Sequence, residues 1–151
     1  MLLPAMVTKL SSAVIDAWSG LVRAEKALAD KLEEQLKNEG FPPLDWYYVL
    51  NEVERAPKGM IRQSGVQSRT QMAQYNVCRL VDKLQAEGLV ERQQCPMDAR
   101  NNVVVITAKG RALRRAMWPV YAAAIDEHFG SRLSQAEAEQ LAQLLSKVAP
   151  A

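Results

Sequence analysis

Apolar side chains recur at the helical period along the N-terminal part of the chain. The stripe between positions 11 and 39 consists of Val14, Trp18, Leu21, Val22, Leu28, Leu32 and Leu36. This spacing places them on one face, so the pattern predicts a single long helix, which Gly40 and Pro42 bring to an end. A small domain seldom covers a stripe this long by itself. We therefore expect the helix to pack on another chain.

Two further segments follow before the middle of the chain. A helix is predicted over residues 43–55, because proline suits the first helical turn. The apolar residues of its inner face are Trp46, Val49, Leu50 and Val53. The stretch "APKG" then breaks the chain. Residues 60–68, "MIRQSGVQS", are compatible with a short helix, although Ser64-Gly65 lowers its helix propensity.

The helical pattern is strong again between residues 73 and 87. Its apolar face consists of Val77, Leu80, Val81 and Leu84, and Gly88 supplies the end of the helix. Residues 89–93 and 102–107 follow as two short strands. The loop between them, "QCPMDARN", contains Pro, Asp and Asn, which favour turns. The order of these elements predicts a β-hairpin directly after a helix.

Two helices complete the chain. The first is predicted over residues 108–129 with Thr107 as its N-cap, and Pro119 should remove one backbone hydrogen bond and bend it. Ser134 and Glu137 have the spacing of a capping box at the start of the second helix. The fold class is therefore mainly α with a small β-hairpin. A helix-turn-helix followed by a hairpin is the winged-helix arrangement, here with long helices at both ends.

Composition places the chain among globular proteins. Of 151 residues, 48% are apolar and 24% are charged, which is typical of a chain that buries a core. No apolar run approaches the ~18 residues of a membrane-spanning helix, and the N-terminus lacks the basic region of a secretion signal. Because there are two cysteines and no such signal, we expect a cytoplasmic protein with no membrane partner and no disulfide framework.

The net charge of +2 conceals an uneven distribution. Residues 58–115 contain eleven Lys and Arg against four acidic residues, a balance of +7, whereas the rest of the chain has a balance of −5. A basic middle indicates one segment that meets an anion. Chance clustering of charge on a solvated face explains the same distribution, so charge alone leaves both interpretations open.

The surface of helix 73–87 carries side chains suited to DNA. Away from its apolar face lie Gln74, Tyr75, Asn76, Arg79 and Lys83. Gln and Asn can pair with adenine, and Arg with guanine or a phosphate, when such a helix enters the major groove. At the hairpin tip, Arg100 is placed to enter the minor groove while Asp98 holds its guanidinium extended. Together with the basic segment, this favours DNA binding over a surface without a partner.

The segment "NVCRLVDKLQAEGLVERQQCPMDARNNVVVITAKGRAL" closely resembles the signature region of MarR-type bacterial transcription regulators. Its specific marks are "RLVDKL", "GLVER", the triplet Asp98-Ala99-Arg100 and "ITAKGRAL". The resemblance implies one MarR-type domain over residues 1–151 that forms an obligate homodimer. Its dimerisation helices would be residues 11–39 and 108–148, and its winged-helix DNA-binding lobe residues 43–107. The two lobes of the dimer would then bind a pseudo-palindromic operator.

One stretch departs from this family. Residues 61–73, "IRQSGVQSRTQMA", lack the usual Leu-Ala-rich helix before the DNA-reading helix. The boundaries of the helix that precedes the DNA-reading helix, and the roles of Arg69 and Gln71, therefore stay open.

Relatives of this kind bind small phenolic or lipophilic effectors between the dimerisation helices and the lobe. The resemblance therefore implies a repressor that an effector releases from DNA by changing the spacing of the two lobes. The aromatic residues on the helices that border this cleft are Trp18, Trp46, Tyr47, Trp118 and Tyr121. The alternative is that they are ordinary core and interface aromatics.

Redox sensing is another candidate function. Cys95 follows Arg92 closely, and a nearby cation lowers the pKa of a thiol and makes it more reactive. The alternative is that Cys95, next to Pro96, is only a turn residue. Cys78 fits a packed position on its helix. The sequence leaves a disulfide between the two cysteines open, although a reducing cytosol argues against it.

Two other classes of function fit the sequence less well. A winged helix can serve protein–protein contact alone, although the basic residues at the predicted DNA-contact positions argue against this. An enzyme is disfavoured because the sequence has no phosphate-binding loop, nucleophile elbow or spaced metal cluster. The single histidine, His128, follows Asp126 and Glu127, whose side chains point in different directions, so we expect a solvated helix end and neither a metal nor a cofactor.

Overall fold

The computed structural model describes residues 9–95 and 98–149, with side chains for 9–94 and 102–149. The described helices are α1 (Ser12–Asn38), α2 (Leu44–Arg55), α3 (Gln63–Thr70), α4 (Gln74–Ala86), α5 (Ala108–His128) and α6 (Gln135–Val148). The strands are β1 (Met60–Arg62), β2 (Val90–Cys95) and β3 (Asp98–Ile106). The predictions of α1, α2, α4, α5 and α6 are confirmed at closely similar bounds.

Three helices begin at residues whose side chains cap the helix N-terminus, and two of these caps, Thr107 and Ser134, were predicted from the sequence. The Ser11 hydroxyl accepts a hydrogen bond from the first turn of α1 at 3.2 Å. Thr107 Oγ1 does the same for α5 at 3.0 Å. Ser134 and Glu137 form the predicted capping box, with hydrogen bonds of 3.1 and 2.9 Å. These bonds satisfy backbone N–H groups that have no partner inside their own helix.

The prediction of a short helix over residues 60–68 is wrong in its first part. Met60–Arg62 form strand β1, which pairs antiparallel with residues 103–105 of β3. Helix α3 starts only at Gln63 and continues to Thr70. Because Ile61 packs against the core, pairing and burial outweigh the weak local preference of this stretch for helix.

The predicted hairpin is part of a three-stranded antiparallel sheet in the order β1-β3-β2. Residues 90–93 of β2 pair with residues 103–106 of β3, and a shift in register follows before Cys95. Beyond this shift Cys95 pairs with Asp98, so β3 begins earlier than the predicted start at Asn102. The sheet therefore extends into the stretch predicted as a loop.

Two apolar clusters hold the elements together. The lobe core joins α2, α3, α4 and the sheet through Val49, Leu50, Val53, Val66, Val77, Leu80, Val81, Leu84, Leu89, Val90, Val104 and Ile106. The junction cluster joins α1, α2 and α5 through Leu32, Leu36, Leu44, Tyr47, Met117 and Ala124. Leu113 of α5 packs against both clusters. Helix α5 therefore connects the lobe to the C-terminal part of α1.

The first and last helices of the described chain each leave a group of large apolar side chains exposed. At and just before the N-terminal half of α1 they are Leu10, Val14, Ile15, Trp18, Leu21 and Val22. On α6 they are Leu144, Leu145 and Val148, and none of the described residues of this helix is buried. We call these two sets the open apolar faces. The predicted stripe of α1 is thus covered only in its C-terminal part.

Helix α5 continues through Pro119. Proline has no N–H, so α5 lacks the hydrogen bond that the Arg115 carbonyl would accept in a regular helix. The residues on either side of this gap belong to the contact between α5 and the rest of the protomer. Helix α5 therefore lacks a backbone hydrogen bond beside the junction cluster, and it can bend more easily there.

Candidate nucleic-acid interface

Helix α4 turns its polar side chains to solvent, as the sequence predicts. Its apolar residues Val77, Leu80, Val81 and Leu84 are buried in the lobe core. Its exposed residues include Gln74, Tyr75, Asn76, Arg79 and Lys83. The helix is therefore anchored along one face and free along another, an arrangement that suits insertion into a major groove.

Arg79 and Tyr75 form a pair on the exposed face of α4. The Arg79 guanidinium carbon lies 5.4 Å from the centre of the Tyr75 ring, one helical turn away. The ring attracts the cation, and the contact restricts the rotamers of both side chains. Among the described side chains, no ion pair joins Arg79 or Lys83 to a carboxylate. Both charges are therefore available to a phosphate.

The segment before α4 forms a helix and a tight turn. Gln71 has a left-handed backbone conformation, with φ of 59°, and its side-chain amide donates to the Ser68 carbonyl at 3.0 Å. Arg69, on the last turn of α3, lies 3.8 Å from the Glu52 carboxylate. Val66 supplies the buried contact of α3, in place of a Leu-Ala-rich pattern. Helices α3 and α4 are therefore a helix-turn-helix pair.

Arg92 of β2 lies along the flank of α4, a contact that was not predicted from the sequence. Its guanidinium donates to the Cys78 carbonyl and to Gln85 Oε1, each at 3.2 Å. It also pairs with the Asp82 carboxylate. Its Nε donates to Gln63 Oε1 at 3.2 Å, in the first turn of α3. Arg92 thus ties one strand of the sheet to both helices of the helix-turn-helix pair.

A partial signal for this contact was present in the sequence. Cys78, Asp82 and Gln85 are spaced four and three residues apart, so they form a polar flank beside the apolar face of α4. Cys78 is a free, partly buried thiol, and its Sγ accepts a hydrogen bond from Gln63 Nε2 at 2.8 Å. The prediction that Cys78 is a packed residue is confirmed.

The hairpin carries the remaining predicted DNA contacts. Asp98 and Arg100 lie on β3, and Cys95 ends β2. The side chains of residues 95–101 lie outside the described part of the structure. The minor-groove role of Arg100, the holding role of Asp98 and the redox role of Cys95 therefore stay predictions.

Three of the five predicted effector-binding residues lie together where α2 meets α5. The ring centre of Tyr47 is 5.0 Å from that of Tyr121 and 6.2 Å from that of Trp118. Tyr48, which the sequence did not indicate, joins them at 6.3 Å from Tyr121. We call these four residues the aromatic cluster. Tyr48 and Trp118 are exposed, so the cluster has a side that faces solvent.

The aromatic cluster also contains a polar pair. The hydroxyls of Tyr48 and Tyr121 lie 3.4 Å apart. Burial raises the pKa of Tyr121 well above its usual value, and its hydrogen bond and charge interaction with Tyr48 raise the pKa further. The Tyr121 hydroxyl therefore stays neutral at physiological pH and keeps both a donor and an acceptor.

The other two predicted effector-binding residues lie apart from the aromatic cluster. Trp46 packs against the lobe core. Trp18 is 66% exposed and belongs to the open apolar face of α1. A ligand-binding role for either residue stays a prediction.

An ion triad joins α2 to α5. Glu54 pairs with Arg111 at 3.4 Å and also with Arg114. The side chains of Glu54 and Arg114 are only 18% and 20% exposed. Removing one partner of a largely buried ion pair leaves the other charge desolvated, so such pairs resist separation. The triad therefore holds the lobe to α5 in addition to the apolar contacts.

The N-terminus of α2 is capped by a carboxylate from α1. The Leu44 N–H lies 3.0 and 3.1 Å from the two oxygens of Glu33. Burial raises the pKa of Glu33, the hydrogen bond from Leu44 opposes the rise, and the Asp45 carboxylate adds to it. Asp45 Oδ1 is buried without a hydrogen-bond partner in the described part of the chain. Two carboxylates thus meet at the start of α2.

We expect Glu33→Gln to change the dependence of stability on pH. Because the folded-state pKa of Glu33 is raised, the native state takes up a proton at higher pH than the unfolded state. This uptake favours folding of the wild type as the pH falls through the folded-state pKa. Glutamine keeps an acceptor for Leu44 but does not titrate. The free energy of unfolding of the variant relative to the wild type should therefore be highest at neutral pH and should decrease as the pH falls.

Urea unfolding between about pH 4 and 7 measures this difference. Glu34→Gln is the matched control, because Glu34 is an exposed neighbour on the same helix. Equal pH profiles for the two variants would contradict the expectation.

The described residues offer neither a metal site nor a membrane span. No group of three or more His, Cys, Asp or Glu side chains is placed to hold a metal ion among them. His128 Nε2 lies 3.8 Å from its neighbour Glu127 and is 19% exposed, so it is more buried than the predicted solvated helix end. None of the described helices has the length and apolar character needed to cross a membrane.

Comparisons with known proteins place this geometry among transcriptional regulators. A family model described as the MarR family matches residues 39–101. The uncharacterized HTH-type transcriptional regulator YkoM of Bacillus subtilis (strain 168) is 32% identical over 125 residues, which is 83% of this chain and 79% of that protein.

Two solved structures extend the likeness to nearly the whole chain. Sco3205, a MarR family transcriptional regulator from Streptomyces coelicolor solved in complex with DNA, has a TM-score of 0.85 and 23% identity over 93% of this chain and 92% of its own. CouR from Rhodococcus jostii RHA1, bound to p-coumaroyl-CoA, has a TM-score of 0.76 and 26% identity over 93% of this chain and 98% of its own. These matches confirm the predicted winged helix-turn-helix fold class.

Proposed function

The chain belongs to the MarR family and is a DNA-binding transcriptional regulator, and we propose that it works as a homodimeric repressor that a small effector releases from its operator. The exposed face of α4 is the observation that carries this proposal. It presents Arg79 and Lys83 without carboxylate partners among the described side chains, beside side chains that can pair with base edges. In this assignment α4 is the DNA-reading helix, and the protein is a regulator rather than an enzyme.

The hairpin would supply the second contact with DNA. Its strand β2 lies against α4 through Arg92, and its strand β3 begins at Asp98 and includes Arg100. We assign Arg100 to the minor groove and Asp98 to holding it, on the strength of their spacing in the sequence. One protomer would then cover one half of a pseudo-palindromic site.

The open apolar faces support the homodimer. They lie on α1 and α6, which are the N- and C-terminal helices of the described chain. Exposed patches of large apolar residues mark interaction surfaces, and a two-fold symmetric pair of identical protomers is the commonest way to cover them. We therefore propose that residues 11–39 and 108–148 form the dimerisation region and residues 43–107 the DNA-binding lobe of a single domain. Such a regulator would act in the cytoplasm.

The aromatic cluster supports an effector site between the lobe and α5. It has apolar rings, a hydrogen-bonded pair of hydroxyls and a side open to solvent. These are the components of a site for a small phenolic or lipophilic molecule. CouR, which is 26% identical, is bound to an aromatic acyl-CoA. A ligand here would alter the position of α2 against α5 and hence the spacing of the lobes. Failure of all small phenols and aromatic acyl-CoAs to release the protein from DNA would refute the proposed effector site.

We expect Arg79→Gln to weaken DNA binding about tenfold or more, because each protomer loses a charged contact worth roughly 1–3 kcal/mol. If the contact is to a phosphate, the slope of log affinity against log salt should become shallower by about 0.9 per protomer. The measurement is titration of the purified protein with an operator selected from random DNA. Half-sites about one helical turn apart in the selected DNA are also expected.

Arg23→Gln is the control for this experiment. It removes the same charge from an exposed position on α1, a helix outside the proposed DNA-binding lobe. Affinity and salt slope should match those of the wild type. Absence of DNA binding by the wild-type protein at low salt would refute the proposed function itself.

A further inference from the structure

Arg92 occupies an unusual position for a cation in a basic DNA-binding lobe. Its side chain is 21% exposed, and its guanidinium is already engaged by the Asp82 carboxylate. Its remaining donors reach the Cys78 carbonyl, Gln85 Oε1 and Gln63 Oε1, all at 3.2 Å. A phosphate would have to displace these partners, so the charge of Arg92 is not presented to DNA as that of Arg79 is.

The partners of Arg92 are arranged along α4 and not at a single point. Cys78, Asp82 and Gln85 are spaced over two turns on one flank of the helix. The planar fork of arginine can meet several such partners at fixed angles, whereas the ammonium of lysine is a point charge on a flexible stem. Arg92 therefore holds a length of α4 against β2.

The apolar contacts of α4 do not fix its rotation about its own axis by themselves. Val77, Leu80, Val81 and Leu84 bury one face of the helix, but burial is favourable for any rotation that keeps this face covered, because the hydrophobic effect is non-directional. Hydrogen bonds have preferred directions. The bonds from Arg92 thus restrict rotation of α4 about its own axis and its angle to the hairpin.

We propose that Arg92 is a positioning residue for DNA binding, which sets the orientation of α4 relative to the hairpin without contacting DNA. The proposal rests on the assignment of α4 as the DNA-reading helix. A small rotation of α4 would turn Gln74 and Asn76 away from the base edges they pair with, while the long side chain of Arg79 would still reach a phosphate and the hairpin would stay in place. Loss of Arg92 should therefore weaken binding through geometry rather than through lost charge.

Arg92→Lys and Arg92→Gln together separate geometry from charge. Lysine keeps the charge and can replace arginine at a simple phosphate contact, but it cannot reproduce the bonds to all four partners. We expect both variants to bind operator DNA about tenfold or more weakly than the wild type, as for loss of hydrogen bonds to a charged group. The slope of log affinity against log salt should stay at the wild-type value in both. Arg79→Gln, measured alongside, should lower the slope.

The Cys78 thiol supplies a second readout that needs no DNA. Its Sγ accepts a hydrogen bond from Gln63, which also binds Arg92. In a Cys95→Ser background, modification of Cys78 by a thiol reagent should be several-fold faster in both Arg92 variants, while circular dichroism shows unchanged helix content. A faster reaction in a folded variant reports local release of α4 rather than unfolding.

The outcomes distinguish this inference from the proposed function. Normal binding by Arg92→Lys with a shallower salt slope in Arg92→Gln would show that Arg92 contacts phosphate, and would overturn the inference while leaving the DNA-binding assignment intact. Wild-type affinity and wild-type Cys78 reactivity in both variants would overturn it as well. Weaker binding at an unchanged slope, with faster modification of Cys78, supports it.

Discussion

Gly110→Ala is expected to lower the free energy of unfolding by about 3 kcal/mol, the upper part of the range for overpacking a core. An added Cβ would overlap the Leu89 carbonyl oxygen and would lie 2.9 Å from Ile106 Cγ1. The Leu89 carbonyl cannot withdraw easily, because it accepts a hydrogen bond from the Thr107 N–H at 3.1 Å. Relief of the overlap therefore requires the start of α5 to move away from the lobe.

Thermal unfolding at a fixed protein concentration measures this effect. For a chain of this size, a loss of about 3 kcal/mol lowers the Tm by roughly 6–12 °C. Gly20→Ala is the matched control, since no atom lies within 4 Å of an added Cβ at that position in α1. Alanine is more favourable than glycine in a helix interior by about 0.5–1 kcal/mol, so this variant should be slightly more stable than the wild type. An unchanged Tm in Gly110→Ala would contradict the contact with Leu89.

Trp18→Glu is expected to convert the proposed homodimer into monomers at concentrations where the wild type is dimeric. Trp18 lies on the open apolar face of α1 and is 66% exposed in the protomer. Tryptophan is the residue type that most often dominates the energy of an interface, and an unpaired carboxylate buried in its place adds a desolvation cost. A combined loss of about 4 kcal/mol weakens association roughly a thousandfold. Operator affinity should fall with it, because two linked half-site contacts become independent.

Sedimentation equilibrium over a range of concentrations tests this expectation. Ala27→Glu introduces the same charge on the same helix, at an exposed position on the opposite side from Trp18. That variant should dimerise normally. A monomeric wild type, or a Trp18→Glu variant as dimeric as the control, would rule out this face as the dimer interface.

The sequence predicted elements whose causes are local. The apolar stripes of α1 and α4 recur over several turns, and Thr107 and Ser134 stand where a helix needs an acceptor for its first N–H groups. Each signal is contained within a few consecutive residues and is repeated by its neighbours. The exposed face of α4 followed directly, since fixing the buried face also fixes the opposite one.

The parts that the sequence did not predict depend on distant residues. Strand β1 has only three residues, and its partner strand lies far along the chain, so no period could reveal it. Tyr48 shares the aromatic cluster with Tyr121 only because α2 packs on α5. The partners of Arg92 come from α3 and α4 while Arg92 itself is on β2. In each case the decisive neighbour is brought close by the fold.

A small bend of α5 at Pro119 would produce a larger displacement at the start of the helix. The helix lacks one backbone hydrogen bond at Pro119, and Ala108 lies about 16 Å away along the axis at 1.5 Å per residue. A bend of about 10° at Pro119 would displace the start of the helix by about 3 Å. The end of α4 would travel with it, because Lys109 and Thr107 each donate to carbonyls at its C-terminus at 2.7 Å. A displacement that is slight beside the aromatic cluster thus becomes, at the C-terminal end of α4, about 3 Å, which is about the size of one base-pair step.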